Sequence, residues 1–470
     1  MNDKNSELKD KLFAKKQNGW EGISDEEKKI IFNFSKEYIN FLNIAKTERE
    51  VILYSKDLAE KSGFKNIQSV NELHAGDKVY YINRDKNIYL AVIGEEDMKN
   101  GLHLVGAHVD SPRLDLKPNP LYESEGFALL RTHYYGGIKK YQWVTMPLAI
   151  HGVIVKTNGE KVNVVIGENE EEPIFTITDL LPHLAEEQMS KKIKDAIEGE
   201  NLNLLVGNIP FDDSKSGDKV KLNIMNILNE KYGIVEKDFL SAELELVPGF
   251  KARSLGFDES MVAGYGQDDR ACGYTSLRAI LDTERPKKTA ICILADKEEI
   301  GSVGNTGMQT KMFDVFVSEL LDKTKQNSIN AIDVVYSKSK MLSADVNAAL
   351  DPLYSNSYEK SNAAYIGEGI GLNKYTGQRG KMGGSDANAE FVAEVRSILE
   401  QNNIQYNISE LGKVDVGGGG TIAYILANKG MDVVDCGVAV LSMHSPYEVT
   451  SKFDIYTAYR AYKAFYDYNI

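Results

Sequence analysis

The sequence predicts an α/β protein in which a mostly β domain is inserted into an α/β sandwich. After Pro248-Gly249, apolar runs typical of strands alternate with longer amphipathic runs typical of helices, which favours a mixed or mostly parallel sheet. Between residues 118 and 248, short strand-like runs are separated by turn residues such as Asn158-Gly159. We therefore predict a discontinuous α/β domain from residues 1–117 and 249–470, with residues 118–248 as the inserted β-rich domain.

The first part of the chain is predicted to contain a capped helix followed by strands. Thr47-Glu48-Arg49-Glu50 is a capping box, in which the threonine side chain accepts the Glu50 amide and the glutamate side chain reaches back. The helix VILYSKDLAEKSGF is expected to stop at Gly63, because glycine readily takes the left-handed backbone of a helix end. The runs KVYYIN, IYLAVIG and LHLVGAH predict strands.

The remaining elements follow from periodicity and turn residues. In the inserted region, strands are predicted in TMPLAIHGVIVKT, KVNVVIG and PIFTIT, interrupted by the acidic helical segment LLPHLAEEQMSKKIKDAIEG. Further along, helices are predicted in ACGYTSLRAILDTE, NAEFVAEVRSILEQNN and SKFDIYTAYRAYKAFYDY. The strands that alternate with these helices are TAICILAD and GMDVVDCGV.

The composition argues against several classes of partner. The 470 residues include 69 Asp+Glu and 55 Lys+Arg, a net charge of −14, which disfavours binding to polyanionic nucleic acid. No apolar run approaches the roughly 20 residues of a membrane span, and the N-terminus lacks the apolar core of a secretory signal. Cys272, Cys292 and Cys436 are too scattered for a disulfide framework, so we expect buried free thiols in the cytoplasm.

Carboxylates and histidines stand where apolar runs end. They are His108, Asp110, Asp268, Asp269, Glu298, Glu299, Asp345 and His444. Open α/β sheets place their sites at strand ends, and imidazole and carboxylate groups suit Zn, Mn or Co. Alone, each has a simpler interpretation: Asp268-Asp269 could cap a helix, and Asp110 could accept amides in a turn. Together they predict an open catalytic metal site, which could hold two ions about 3.5–4 Å apart.

Seven motifs, taken in order, resemble the aspartyl aminopeptidase / aminopeptidase I family of dinuclear zinc exopeptidases. They are GAHVDSPRLDLKPNPL, YYGG, LLPHLAEEQ, the QDD before a helix, DKEEIGS, LSADVNAA and LSMHSPYE. The resemblance covers nearly the whole chain, and as an ordered set these motifs are highly specific. It implies a zinc exopeptidase fold, an inserted domain that mediates dimerisation, and removal of single N-terminal residues from peptides.

The resemblance also implies a set of metal ligands. They are His108, Asp269, Glu299, Asp345 and His444. Asp269 is expected to bridge two divalent ions, with zinc favoured over manganese or cobalt. His108 and Glu299 are expected to complete the ligands of one ion, and Asp345 and His444 those of the other.

Other residues receive roles in proton transfer and substrate binding. The resemblance implies that Glu298 is the general acid/base, which explains why two glutamates stand side by side, and that Asp110 orients His108 or polarises its metal. Family members form large homo-oligomers, typically a tetrahedral dodecamer, and His183 matches a histidine that reaches a neighbouring subunit's site. Lys374, with Arg379 nearby, could bind a substrate carboxylate or carbonyl or could simply lie in a solvated loop.

Two other functions remain alternatives at this point. A deacylase or carboxypeptidase of the same clan would share the metal ligands but recognise an acyl group or a free carboxylate. The second alternative is a metal-stabilised shell protein without catalysis, although a structural site has no use for a non-ligand base such as Glu298. The segments YQWVTMPLAIHG and DVGGGGTIAY depart from the family pattern near the expected substrate, which leaves the preferred N-terminal residue open.

Overall fold

The computed structural model describes residues 8–9, 11–14, 16–212 and 217–468. Within these residues the strands form sheets of nine, six, five and two strands. In chain order the strands are β1 Lys65–Asn66, β2 Lys78–Asn83, β3 Asn87–Val92, β4 His103–His108, β5 Arg113–Ser124, β6 Phe127–Tyr135, β7 Leu148–Val155, β8 Lys161–Ile166, β9 Leu204–Gly207, β10 Ala242–Pro248, β11 Arg253–Leu255, β12 Met261–Gly264, β13 Ala290–Ala295, β14 Lys340–Ser343, β15 Asn347–Ala348, β16 Ile370–Asn373, β17 Gly377–Gln378, β18 Tyr406–Ile408, β19 Gly418–Gly419, β20 Asp432–Gly437, β21 Ala439–Leu441 and β22 Glu448–Ser451.

Helices cover both faces of the largest sheet, and others belong to the inserted region. They are Asp25–Ile44, Glu48–Lys61, Glu186–Ser190, Ile193–Ala196, Lys219–Tyr232, Gln267–Leu281, Met312–Lys323, Ala331–Tyr336, Ala389–Gln401, Ala423–Ala427 and Lys452–Tyr466. No helix in the described part of the chain combines the length and the apolarity that crossing a bilayer requires. The architecture is therefore mixed α/β, as the sequence predicts.

The nine-stranded sheet has the order β1-β2-β3-β13-β4-β14-β20-β16-β18. Its central strands β13, β4, β14 and β20 run parallel to one another. Alternate side chains of β13 enter two different cores: Cys292 and Leu294 pack with the helices on one face, and Ile291 and Ile293 with those on the other. Burial on both faces explains why this strand reads as an uninterrupted apolar run.

The capped helix is confirmed at Glu48–Lys61. The Glu50 amide donates to Thr47 Oγ1 at 3.3 Å, and the Thr47 amide donates to Glu50 Oε2 at 3.0 Å. Gly63 follows the helix with φ +87°, the left-handed conformation that favours glycine. The other predicted strands and helices are also present, with two exceptions in the inserted region.

Two predictions in the inserted region are wrong. PIFTIT forms only isolated bridges, from Phe175 to Leu148 and from Thr176 to Leu205, and Pro173 at its start has no amide for a ladder. The acidic segment is broken into a 3-10 turn at Pro182–Leu184 and two short helices at Glu186–Ser190 and Ile193–Ala196, rather than forming one helix. None of these three pieces buries a side chain, so no packed apolar face stabilises a longer helix.

The six-stranded sheet has the order β8-β7-β10-β5-β6-β9 and its own apolar core. Its strand β5 begins at Arg113, so the sheet takes in five residues before the expected boundary at residue 118. A buried lysine from outside the sheet contacts it. Lys46 Nζ donates to Glu168 Oε1 at 2.6 Å and to the Pro248 carbonyl at 2.8 Å.

Candidate metal centre

Three parallel strands deliver side chains to one edge of the nine-stranded sheet. β4 ends at His108, which pairs in register with Ala295 at the end of β13. Glu298 and Glu299 follow β13, and Asp345 follows β14 on the other side of β4. Because parallel strands end at the same edge, residues far apart in the sequence meet there, as the strand-end pattern predicts.

The remaining side chains come from segments that join the five-stranded sheet. Asp268 and Asp269 open the helix Gln267–Leu281 directly after β12, and His444 follows β21. The backbone at Asp268 (φ −82°, ψ 105°) and at Asp269 (φ −114°, ψ 28°) is not helical. This local departure from helical geometry aims the two neighbouring carboxylates in different directions.

Asp268 lies between the two histidines. Its Oδ1 is 3.3 Å from Nε2 of His108, and its Oδ2 is 3.1 Å from Nε2 of His444. The second carboxylate near His444 is Glu299, whose Oε2 is 3.7 Å from Nε2. Glu298 Oε2 lies 4.0 Å from Nε2 of His108, at the edge of the group.

The position between the histidines is therefore occupied by Asp268 and not by Asp269, the residue that the family resemblance implies as the bridge. Asp269 turns towards the strand, where its Oδ2 accepts from the His108 amide at 3.3 Å. Its carboxylate still belongs to the cluster, because oxygens of Asp269 and Asp345 and a ring nitrogen of His108 lie within 4.8 Å of one another. Two adjacent aspartates are equivalent by spacing, and only the backbone conformation distinguishes them.

The other expected ligands also lie close to the histidines. Asp345 lies in a group with His108 and Asp269. Glu299 forms an ion pair with His444, with 3.7 Å between Oε2 and Nε2. Glu299 lies near enough to His108 and Asp268 for ligand atoms of all three to fall within 4.8 Å. His108 therefore lies within reach of both Asp345 and Glu299, and Glu299 lies within reach of both histidines.

The cluster carries more negative charge than its own histidines can balance. Burial, together with repulsion from Asp268, raises the pKa of Glu299, and burial with repulsion from Asp269 raises the pKa of Asp345. Burial also raises the pKa of Glu298 to about 7. The pKa of Asp268 moves the other way, because hydrogen bonds from His108 and His444 outweigh its burial.

These residues fit divalent cations. Glu299 Oε1 and Asp269 Oδ1 are buried and have no hydrogen-bond partner among the described residues. Buried carboxylate oxygens are costly unless a donor or a cation satisfies them. The donors are two imidazoles and several carboxylates, with no cysteine thiolate among the clustered groups, which is the chemistry of a catalytic rather than a closed structural zinc site.

Asp110 organises the loop that carries the two glutamates. Its Oδ1 accepts from the Glu298 amide at 3.1 Å and its Oδ2 from the Glu299 amide at 3.2 Å. The Asp110 carbonyl lies 3.0 Å from Nδ1 of His108, so Nε2 is the nitrogen that faces Asp268. Tyr135 adds a fourth contact, since its hydroxyl donates to Asp110 Oδ2 at 2.8 Å.

The YYGG motif contributes two glycines, Gly136 and Gly137, to which the sequence pattern gives no role. The Gly137 carbonyl lies 2.9 Å from Nδ1 of His444, which leaves Nε2 of that ring facing Asp268. A Cβ at Gly137 would come within 3.1 Å of the His444 ring, and one at Gly136 within 3.2 Å of Glu299 Oε2. Both glycines therefore allow close approach of the backbone to the cluster.

The cluster lies in a cleft of about 730 Å³. The walls include the glycine run 417–420 and the basic residues Arg379, Lys381 and Lys413. Lys374 does not line the cleft; its Nζ pairs with Asp386 Oδ1 at 3.2 Å, so the structure assigns it to a loop ion pair. His183 is exposed in the turn Pro182–Leu184 and does not line the cleft of its own chain.

A buried imidazole–carboxylate cluster with an adjacent glutamate, at the carboxyl edge of an α/β sheet and open to a cleft, defines a metal-dependent hydrolase. The chain belongs to the M18 family: the family model described as aminopeptidase I zinc metalloprotease (M18) matches residues 41–466. It is a zinc aminopeptidase, a hydrolase of peptide bonds, and the deacylase, carboxypeptidase and shell-protein alternatives are not favoured.

Relatives match over nearly their full length. The probable M18 family aminopeptidase 1 of Clostridium acetobutylicum is 53% identical over 458 residues, covering 97% of this chain and 98% of the relative. The crystal structure of an M18 aminopeptidase from Thermotoga maritima is similar with a TM-score of 0.93 at 45% identity, covering 97% of this chain and all of that one. The α/β exopeptidase fold is therefore confirmed.

A more distant neighbour shares the fold alone. The structure of the S. cerevisiae mApe1 dodecamer is similar with a TM-score of 0.74 at 22% identity, covering 92% of this chain and 96% of that one. That protein is a dodecamer by its description.

Proposed function

We propose that the cluster holds two zinc ions, with Asp268 shared between them, His108 and Asp345 completing one set of ligands, and Glu299 and His444 the other. The observation that carries this proposal is Asp268, whose two oxygens face the Nε2 atoms of two histidines at 3.3 and 3.1 Å. The donor set suits manganese or cobalt as well, because both accept imidazole and carboxylate ligands. Asp269 serves as a buried neighbour of His108 and Asp345 rather than as the bridge.

Glu298 is the general acid/base of the proposed reaction. When bound, the zinc ions supply Lewis-acid polarisation of the scissile carbonyl and of the attacking water. The Glu298 carboxylate accepts the proton of that water and returns it to the nitrogen of the leaving peptide. Asp110 holds the Glu298 and Glu299 amides on its two oxygens, so the ligand and the base keep a fixed relation.

A matched pair of peptides tests the reaction class. A tetrapeptide with a free α-amine should release its first residue, whereas the same peptide with an acetylated N-terminus should release none. Product analysis by mass spectrometry distinguishes the alternatives, because a deacylase would release acetate and a carboxypeptidase would shorten both peptides from the other end. Equal cleavage of both peptides would contradict the aminopeptidase assignment.

We also propose a homo-oligomer built from dimers and reaching a dodecamer, in which the inserted domain, residues 118–248, packs against its counterpart and residues 1–117 and 249–470 carry the catalytic centre. Support comes from the apolar side chains that the segment around His183 exposes, namely Leu181, Leu184, Met189 and Ile193. An exposed apolar patch on one segment is typical of a protein interface. His183 would then reach the cleft of a neighbouring subunit.

Mixing two inactive variants tests the role of His183 in trans. His183→Ala subunits keep their own Glu298, and Glu298→Gln subunits keep their own His183. Oligomers reassembled from both should regain up to half of the wild-type activity, because the His183→Ala cleft receives an intact histidine from its neighbour. Full activity of His183→Ala alone, or no recovery on mixing, would contradict the role.

A cytoplasmic location is the remaining part of the proposal. All three cysteines, Cys272, Cys292 and Cys436, are buried free thiols. Unpaired thiols are typical of a reducing compartment.

A further inference from the structure

Glu448 joins two of the cluster residues through their backbone. Its Oε1 accepts from the His444 amide at 2.8 Å, and its Oε2 accepts from the Asp268 amide at 3.1 Å. The residue is 1% exposed at the start of β22, so water does not compete for these bonds. One carboxylate thereby ties a residue that follows β21 to a residue that follows β12.

A second buried carboxylate beside the cluster makes the same kind of contacts. Asp110 uses its two oxygens for the Glu298 and Glu299 amides, just as Glu448 uses its own for Asp268 and His444. In each case a buried carboxylate that does not line the cleft accepts the backbone amides of two residues whose side chains carry the chemistry. Such outer partners orient ligands and tune their affinity for metal.

The segment that Glu448 holds has an unfavourable backbone. His444 has φ +65° and Ser442 has φ +57°, in the left-handed region that residues other than glycine seldom adopt. Such conformations persist where surrounding contacts over-determine them. Two contacts fix His444: its backbone amide donates a hydrogen bond to Glu448, and its ring Nδ1 contacts the Gly137 carbonyl.

We propose that Glu448 is a positioning residue that sets the distance between Asp268 and His444 and so determines how tightly the site binds its cations. This inference rests on the proposed metal centre. Glu448 acts without touching cation or substrate. Its loss should therefore weaken cation binding more than it weakens the fold.

The test compares Glu448→Gln with a control that breaks the same kind of bond elsewhere. Glutamine keeps one acceptor oxygen and places an NH₂ donor against the other amide. The control is Asp454→Asn: Asp454 is fully buried, accepts from the Gly367 and Gly369 amides at 2.7 and 2.8 Å, and does not line the cleft. Each protein is stripped of metal and titrated with Co²⁺, followed by its visible absorption, and the thermal midpoint of the metal-free form is recorded.

Glu448→Gln should bind at least one Co²⁺ about 10–100-fold more weakly than wild type, the usual effect of removing an outer partner of a ligand. Asp454→Asn should lower the thermal midpoint of the metal-free form by at least as much as Glu448→Gln does. It should leave both Co²⁺ dissociation constants within about twofold of wild type. Cobalt affinities of Glu448→Gln that match those of Asp454→Asn would overturn the inference. Wild-type protein that binds no Co²⁺ would overturn the metal centre itself, so the two failures are distinguishable.

Should Glu448→Gln not fold, Glu448→Asp decides the matter. Aspartate keeps both acceptor oxygens but retracts them by one methylene group. We expect weaker Co²⁺ binding than in wild type and a folded protein. Unchanged affinity in this variant would equally overturn the inference.

Discussion

Replacing Glu298 by glutamine is expected to lower kcat by about 10²–10⁴-fold, the range that a general acid/base contributes. Glutamine has nearly the same shape but cannot accept the proton of the attacking water. The proposed zinc ligands are untouched, so the variant should still bind two ions per subunit. Steady-state kinetics with a free-amine peptide, beside metal analysis of the same sample, measure both quantities.

A second glutamate, outside the cleft, provides the control. Glu394 pairs with Lys340 and does not line the cleft. Glu394→Gln should keep kcat within a factor of about two of wild type, because the residue lies outside the cleft and the metal cluster. A Glu298→Gln enzyme with near-normal kcat would remove Glu298 from the mechanism, and one that had lost its metal would show that Glu298 is a ligand.

Exchanging Asp268 for asparagine is expected to weaken metal binding and activity more than the same exchange at Asp269. Asp268→Asn removes the charge that faces both histidines, so both ions should bind weakly and activity should fall about a hundredfold or more, as the loss of several kcal/mol of metal assistance implies. Asp269→Asn removes a carboxylate that contacts the His108 amide, and the variant should retain two ions per subunit.

The two aspartate variants form a matched pair, because both replace aspartate by asparagine and the two positions are adjacent. Metal content after dialysis against a weak chelator gives the comparison directly. The reverse result, with Asp269→Asn empty and Asp268→Asn fully loaded, would restore Asp269 as the bridge. Loss of both ions in both variants would mean that neither residue alone holds the two ions together.

The fold could be predicted from the sequence because its central strands are buried on both faces. The runs around Ile293 and Val434 are long, apolar and followed by amphipathic helices, so periodicity was enough to identify them. The segment around His183 could not be predicted in the same way. Its apolar side chains are exposed in the single chain. The length of a helix depends on what it packs against, and the local sequence does not contain that information.

The members of the cluster could be predicted from their position at strand ends, but not their relations to one another. Asp268 and Asp269 are interchangeable by spacing, and the distinction depends on two pairs of backbone angles. Glu448 carries no signal of its own beyond its place in LSMHSPYE, because its contacts are to amides of residues far apart in the chain. The sequence cannot distinguish Lys374 from its basic neighbours for a related reason. Arg379 and Lys381 line the cleft, and only the loop conformation determines which basic side chains face it.

The position of the ions relative to Asp268 tests the central claim most directly. Crystals of the protein loaded with zinc, measured on both sides of the zinc absorption edge, should show two anomalous peaks per subunit. We predict one peak on each side of Asp268, each about 2.0–2.2 Å from one of its oxygens. A single peak, no peak, or two peaks joined by Asp269 with Asp268 out of reach would contradict it.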